Sequence, residues 1–211
     1  SHEPGSTFKL MALAVALEDQ RVDTTTLVDT KNGILSFYGK KVRDSKKGGY
    51  GAISVGKAFE VSSNTGIVRA IHEAYKKDPS SFVDGLYRMN LHDTLGLTLV
   101  GEGKSIIPDP RIKNNRWSGI ALQWMAYGYG VSLTPLQILT FYNAIANGGT
   151  MVKPRFIREV RAIDQTVKVF ETEIINPQIC KPETIKKLQA LLKNVVEKSH
   201  GVELVLNFVR C

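Results

Sequence analysis

The stretch that most restricts this chain lies close to its start. Between Ser6 and Glu18, the side chains of Phe8, Leu10, Met11, Leu13, Ala14, Val15 and Leu17 leave hardly any polar face at helical spacing. A helix that is apolar all round has to be covered on every side. A sheet is the usual cover, yet the rest of the sequence offers no convincing set of central strands. The fold is therefore read as mainly α: either all-helical, or one from which a sheet has been cut away. The longest unbroken apolar run, Leu10 to Leu17, is far shorter than the roughly 18–20 residues that cross a bilayer. The opening Ser1-His2-Glu3-Pro4-Gly5 does not read as a signal peptide, so the chain is expected to be soluble.

Further helices are expected over Tyr50 to Phe59, Thr65 to Lys77, Ser80 to Met89 and Pro182 to Lys198. The helix from Pro135 to Ala146 has the clearest signals. Thr134 is placed to cap it, Pro135 suits its first position, Gln137 completes a T-x-x-Q capping box and Asn147-Gly148-Gly149 stops it. Short strands are expected around Phe156–Ile163 and Thr166–Glu171.

Charge bears on partners. Net charge is +8, from 28 basic and 20 acidic residues. One basic concentration lies between Lys31 and Lys57, where Lys40, Lys41, Arg43, Lys46, Lys47 and Lys57 are opposed only by Asp44. It is rich in glycine and reads as a loop or hairpin. Others run from Lys153 to Arg161 and from Lys181 to Lys198, the latter on the solvated face of a helix. No zinc-finger, RNA-recognition or helix-turn-helix signature accompanies them, so nucleic acid is not an expected partner. Cys180, Cys211, His2, His72, His92 and His200 have no metal-ligand spacing, and neither a metal nor a cofactor is expected.

Two small constellations can do chemistry. Ser6 and Lys9 are three residues apart at the head of the apolar helix, on one face. Burial disfavours an ammonium ion and turns the amine into a base able to activate a serine hydroxyl. The same letters also describe a capping serine followed by a lysine that snorkels to water. Ser62-Ser63-Asn64 reads as a polar turn capping the next helix through Ser63 or Asn64, or as a hydroxyl and a carboxamide aimed at a substrate.

Glu3-Pro4-Gly5-Ser6-Thr7-Phe8-Lys9 resembles the active-site signature of class B penicillin-binding proteins, the D,D-transpeptidases that cross-link peptidoglycan. Ser62-Ser63-Asn64 resembles that family's S-x-N motif. Leu99-Val100-Gly101-Glu102-Gly103 running into Ile107-Pro108 looks like its L-x-G-E region. Tyr127-Gly128-Tyr129-Gly130, Thr134-Pro135-Leu136-Gln137 and Ala146-Asn147-Gly148-Gly149 look like its G-Y-G, T-P-L-Q and A-N-G-G stretches. Together they are most similar to division-type members. The resemblance implies that the chain is the helical part of the α/β transpeptidase fold shared with serine β-lactamases, with most of the central sheet missing, and it implies Ser6 as nucleophile and Lys9 as general base. It further implies that Ser62 relays a proton, that Asn64 binds the acyl side-chain amide, and that the Ser6 N–H serves an oxyanion hole. It implies peptidoglycan stem peptides and β-lactams as partners, and a membrane-anchored parent in a division complex at the outer face of the cytoplasmic membrane.

The sequence also departs from the family. No lysine is followed by Thr-Gly or Ser-Gly, the third motif, which would supply a second oxyanion donor and a carboxylate anchor. Residues 1–201 are therefore expected to be a partial transpeptidase domain, weak or inactive by itself. Val202 to Cys211 are unlike the family. Read two nucleotides into each codon, that tail can encode G-T-G-T-K-L-R-T, which implies a shifted reading frame. Two other readings use the same residues. One is a serine β-lactamase or β-lactam sensor, against which the E-P-G-S and T-P-L-Q stretches speak. The other is a non-catalytic helical module with exposed apolar faces around Ser6–Glu18 that favour self-association.

Overall fold

A computed structural model describes residues 1–98, 100–113 and 117–198. A 3₁₀ turn, Gly5–Thr7, leads directly into helix α1 (Phe8–Glu18). Every residue from Phe8 to Leu17 is buried, as the unbroken apolar sequence requires. The cover comes from helices: α3 (Asn64–Tyr75), α4 (Pro79–Arg88) and α7 (Pro182–Lys198) all pack on α1. The apolar patch expected at Ser6–Glu18 is thus absent, because α3, α4 and α7 cover this helix. Burial of each large aliphatic side chain contributes about 2 kcal/mol. Leu10, Leu13 and Leu17 make α1 the axis of the core.

The remaining helices are α2 (Val55–Glu60), α5 (Ala121–Met125) and α6 (Pro135–Ala146). Strands occur in four antiparallel pairs: β1 (Leu27–Asp29) with β4 (Ala52–Ser54), β2 (Ile34–Phe37) with β3 (Lys40–Arg43), β5 (Met151–Val152) with β8 (Ile174–Asn176), and β6 (Glu159–Ala162) with β7 (Gln165–Val169). Among the described residues no sheet is larger than two strands, and no helix is long and apolar enough to cross a membrane.

Most expected elements form within a residue or two of their predicted limits. The α6 capping box is complete: the Thr134 hydroxyl accepts from the Gln137 N–H at 3.1 Å, and the Gln137 side chain accepts from the Thr134 N–H at 2.8 Å. The basic glycine-rich stretch is the β2–β3 hairpin. The helix expected over Tyr50–Phe59 needs correction. Gly51 is left-handed at φ +65°, which no α-helix tolerates, and Ala52–Ser54 pair with Leu27–Asp29. Only then does α2 begin, capped by the Ser54 hydroxyl.

Helices α1 and α4 cross where Gly85 meets Val15. A Cβ on Gly85 would lie 2.2 Å from Val15 Cγ1. Gly85→Ala should therefore destabilise the protein by about 1–3 kcal/mol despite the better helix propensity of alanine. In urea unfolding, adding Val15→Ala should recover part of that loss; simple additivity of the two changes would contradict this account of the crossing.

Candidate active site

The serine-bearing turn is held from both sides by parts of the chain more than a hundred residues away. His2 and Leu133 exchange backbone hydrogen bonds at 2.9 and 3.0 Å, and the Glu3 carboxylate accepts from the Gly130 N–H at 2.8 Å. The Gly5 N–H donates to the Gly128 carbonyl at 3.0 Å. This approach explains the glycine at 128: its φ is +88°, and a Cβ there would come within 2.0 Å of the Gly5 oxygen. On the other flank, Tyr142 of α6 donates its hydroxyl to the Thr7 carbonyl at 3.0 Å, and the Thr7 hydroxyl bonds back to the Pro4 carbonyl at 2.8 Å. Ser6 sits between these clamps and is exposed to solvent. It lies inside the 3₁₀ turn rather than at its cap, and no side chain caps that turn. The capping-serine reading therefore falls.

Lys9 does not snorkel. It is 1% exposed, and its amine donates to the Ser62 carbonyl at 2.7 Å and to the Ser62 hydroxyl at 2.9 Å. The structure brings Lys9 and Ser62 together, and among the described residues no hydrogen bond joins either of them to the Ser6 hydroxyl. Burial pushes the amine down from its ordinary value to about 8, and the nearby Asp44 carboxylate partly opposes the shift. A neutral amine has two N–H bonds and one lone pair. Both donors point at Ser62, so the lone pair is the part left to accept a proton.

The Ser62–Asn64 turn is strained and heavily tied. Ser62 has φ +53°, an uncommon conformation for a residue with a Cβ. Ser63 is the helix cap, accepting from the Gly66 N–H at 2.9 Å. Asn64 is the first residue of α3, and its amide donates to the Arg43 carbonyl at 2.7 Å. Asp44 binds the same turn. Its carboxylate accepts from the Ser63 hydroxyl at 3.1 Å, the Thr65 N–H at 2.9 Å and the Thr65 hydroxyl at 2.7 Å. Sequence reading missed the roles of Asp44 and Tyr142. For Asp44 a signal existed: it is the lone acid in the basic stretch. Residues 199–211, which include most of Lys198-Ser199-His200-Gly201 and the whole stretch Val202–Cys211, lie outside the described residues, as does Leu99.

The model of the penicillin-binding protein transpeptidase domain matches residues 1–205. The chain belongs to that family. Relatives of this transpeptidase-family chain include the stage V sporulation protein D of Bacillus subtilis, 28% identical over 95% of the chain, and PbpB of Mycolicibacterium smegmatis, 29% identical over 93%. The peptidoglycan D,D-transpeptidase FtsI of Escherichia coli is 28% identical over 87% of it. The chain spans about 30% of the length of these relatives. Among solved structures, penicillin-binding protein 3 of Mycobacterium tuberculosis complexed with aztreonam superposes with a TM-score of 0.75 at 26% identity. That match covers 94% of this chain and 42% of the other.

The Lys9 geometry has a measurable signature. Its folded value of about 8 lies below the ordinary 10.5, so the folded protein releases this proton before the unfolded chain does. Stability should therefore rise with pH between about 8 and 10.5, by about 3 kcal/mol for this group, and the gain should be absent below that window. Urea midpoints across the window should show this slope in the parent protein and not in Lys9→Met. Asp44→Asn, which removes the opposing charge, should start the rise at lower pH.

Proposed function

We propose that this chain carries the acylation centre of a peptidoglycan D,D-transpeptidase. The supporting observation is the buried Lys9 amine, bonded to Ser62 and set one helical turn beyond the exposed Ser6. In this reading the Lys9 lone pair takes the Ser6 hydroxyl proton, and Ser6 Oγ attacks the carbonyl carbon of a D-Ala-D-Ala donor peptide. The C–N bond breaks, and the departing D-Ala amine receives its proton from Lys9 through the Ser62 hydroxyl. An amine of a neighbouring stem peptide then takes the acyl group from Ser6. A β-lactam enters by the same attack, with its ring C–N bond broken and the leaving nitrogen still tethered. Asn64 gives one amide hydrogen to Arg43, and its carbonyl end is left to accept from the acyl side-chain amide. The Ser6 N–H, at the head of the turn, serves the developing oxyanion.

In the same reading residues 1–201 are part of a larger α/β domain, and the strands of its central sheet and its third motif belong to sequence not present here. The parent protein is membrane-anchored, works at the outer face of the cytoplasmic membrane and takes part in division. Residues 202–211 come from a shifted reading frame. Sequencing the encoding DNA against a relative's gene should expose a one- or two-nucleotide offset after codon 201, and an uninterrupted family-like frame encoding that tail would reject it.

Acylation is the direct test. A fluorescent penicillin should label this chain slowly, with the adduct on Ser6 by peptide mass spectrometry and a rate that climbs with pH around 8, where Lys9 loses its proton. Lys9→Ala should lower that rate by about 10²–10⁴-fold. Label on another residue, or a Ser6 adduct indifferent to Lys9, would overturn the assignment.

A further inference from the structure

Beside the β2–β3 hairpin lies a cavity of about 260 Å³ that this mechanism does not use. It is a groove in form, because all four residues of β2 line one side and the second half of α3, with Arg69 and His72, lines the other. Lys31 stands at the end where the hairpin begins.

The hairpin register shows which backbone groups face the groove. The Asp44 N–H donates to the Gly33 carbonyl at 2.9 Å, so the Gly33–Asp44 pair is a hydrogen-bonded one. Hydrogen-bonded pairs alternate with open ones in an antiparallel ladder. Leu35–Val42 and Phe37–Lys40 are then bonded pairs, while Ile34–Arg43 and Ser36–Lys41 are open. The open residues of β3 point their amide groups outward, which is how the Arg43 carbonyl reaches Asn64. By the same alternation, Ile34 and Ser36 point their N–H and C=O groups away from β3. Among the described residues no strand pairs with that edge.

The second observation is electrostatic. Arg69 Nε is buried and has no hydrogen-bond partner. Neither Arg69 nor Lys31 makes an ion pair with any described residue; the one acid in the lining, Glu73, feels the charge of Arg69 but is paired with Lys76. His72 takes one wall through its edge-on contact with Phe37, ring centroids 5.1 Å apart, and its Nδ1 is engaged by Gln123 at 2.9 Å. A buried orphan donor in a native structure calls for an acceptor.

We propose that this groove is a docking site for an acidic, extended segment of a partner polypeptide. The segment adds to β2 as a third strand of about four residues, roughly 13 Å long. Its backbone pairs with Ile34 and Ser36, and a carboxylate side chain answers Arg69 and Lys31. Charge complementarity selects the partner: basic side chains outnumber acidic ones around the groove, with Lys31 and Arg69 in its lining against Glu73, and the exposed neighbours Lys40, Lys41, Lys46 and Lys47 make no ion pair among the described residues. The groove shares α3 and the hairpin with the Ser62–Asn64 turn, so a docked strand would brace the two elements that hold that turn.

The test is a titration of this chain with the blocked peptide acetyl-Val-Glu-Val-Glu-Val-amide, followed by backbone NMR and fluorescence anisotropy. The peptide is expected to bind weakly, with amide shifts concentrated at Ile34 and Ser36. A version N-methylated on alternate amides, and a version with lysine in place of glutamate, should each bind at least about tenfold more weakly. Arg69→Gln should weaken binding by about the same factor and Arg69→Lys by less. Ser36→Pro, which removes an outward N–H that an edge strand can spare, should abolish it. Urea unfolding of each variant distinguishes loss of the groove from loss of the fold. Equal binding of the N-methylated peptide would overturn strand addition. Displacement of the peptide by tripolyphosphate without shifts at Ile34 and Ser36 would instead make the groove a simple anion site. Neither outcome depends on acylation at Ser6.

Discussion

Lys9 is a charged residue type in a place where charge is unwelcome, and much of the molecule is arranged around that conflict. From Phe8 to Leu17 all the other residues of its helix are apolar, and the lysine is buried with them. A buried ammonium with no acceptor would cost several kcal/mol. The Ser62 carbonyl and hydroxyl meet it, but only because Ser62 adopts a left-handed backbone conformation. That conformation is kept by ties on either side: the Ser63 cap, the Asn64 bond to the hairpin, and the Asp44 carboxylate bound to Ser63 and Thr65. The strain at Ser62 and the desolvation at Lys9 are thus borne by a network of ordinary hydrogen bonds among β3, α3 and the turn between α2 and α3. The network leaves the amine holding its proton less tightly than an exposed lysine does, down at about 8.

How much of this could be read from letters alone depends on how local each feature is. The Pro135–Ala146 helix is written almost entirely in its own residues: cap, first-position proline, capping box and terminal glycines. The pairing of Lys9 with Ser62 spans 53 residues and follows from no spacing rule. Its two halves were nonetheless visible as separate motifs, and the family resemblance joined them. The Tyr50–Phe59 stretch misled because Ala, Val, Ala and Phe at helical spacing look alike in a strand followed by a short helix. Gly51 and the remote partner strand Leu27–Asp29 decided the matter. Helix α5 was not foreseen at all; it is short and has no side-chain cap.

The absence of a large sheet among the described residues looked, from the sequence, like a gap in the core. The structure shows that α1 is nonetheless covered, since α3, α4 and α7 close around it. Helix α7 matters most in this respect because it arrives from the far end of the chain. Through Ile185, Leu188 and Leu191 it joins the core that the first helix organises. A sequence that spans about 30% of its longer relatives can therefore keep its central helix dry.

The contact between Gly5 and Gly128 has a consequence for the order in which the site comes into being. The turn that carries Ser6 is made well before the residues that shape it: backbone bonds reach it from residues 128–133 and a hydroxyl from Tyr142. Closing so long a loop is entropically slow, and local helices form well before it. The turn therefore cannot take its final shape until residues 128–142 have been made and folded back onto it. The geometry around Ser6 is thus a property of the finished tertiary structure, acquired late in folding rather than written into the turn itself.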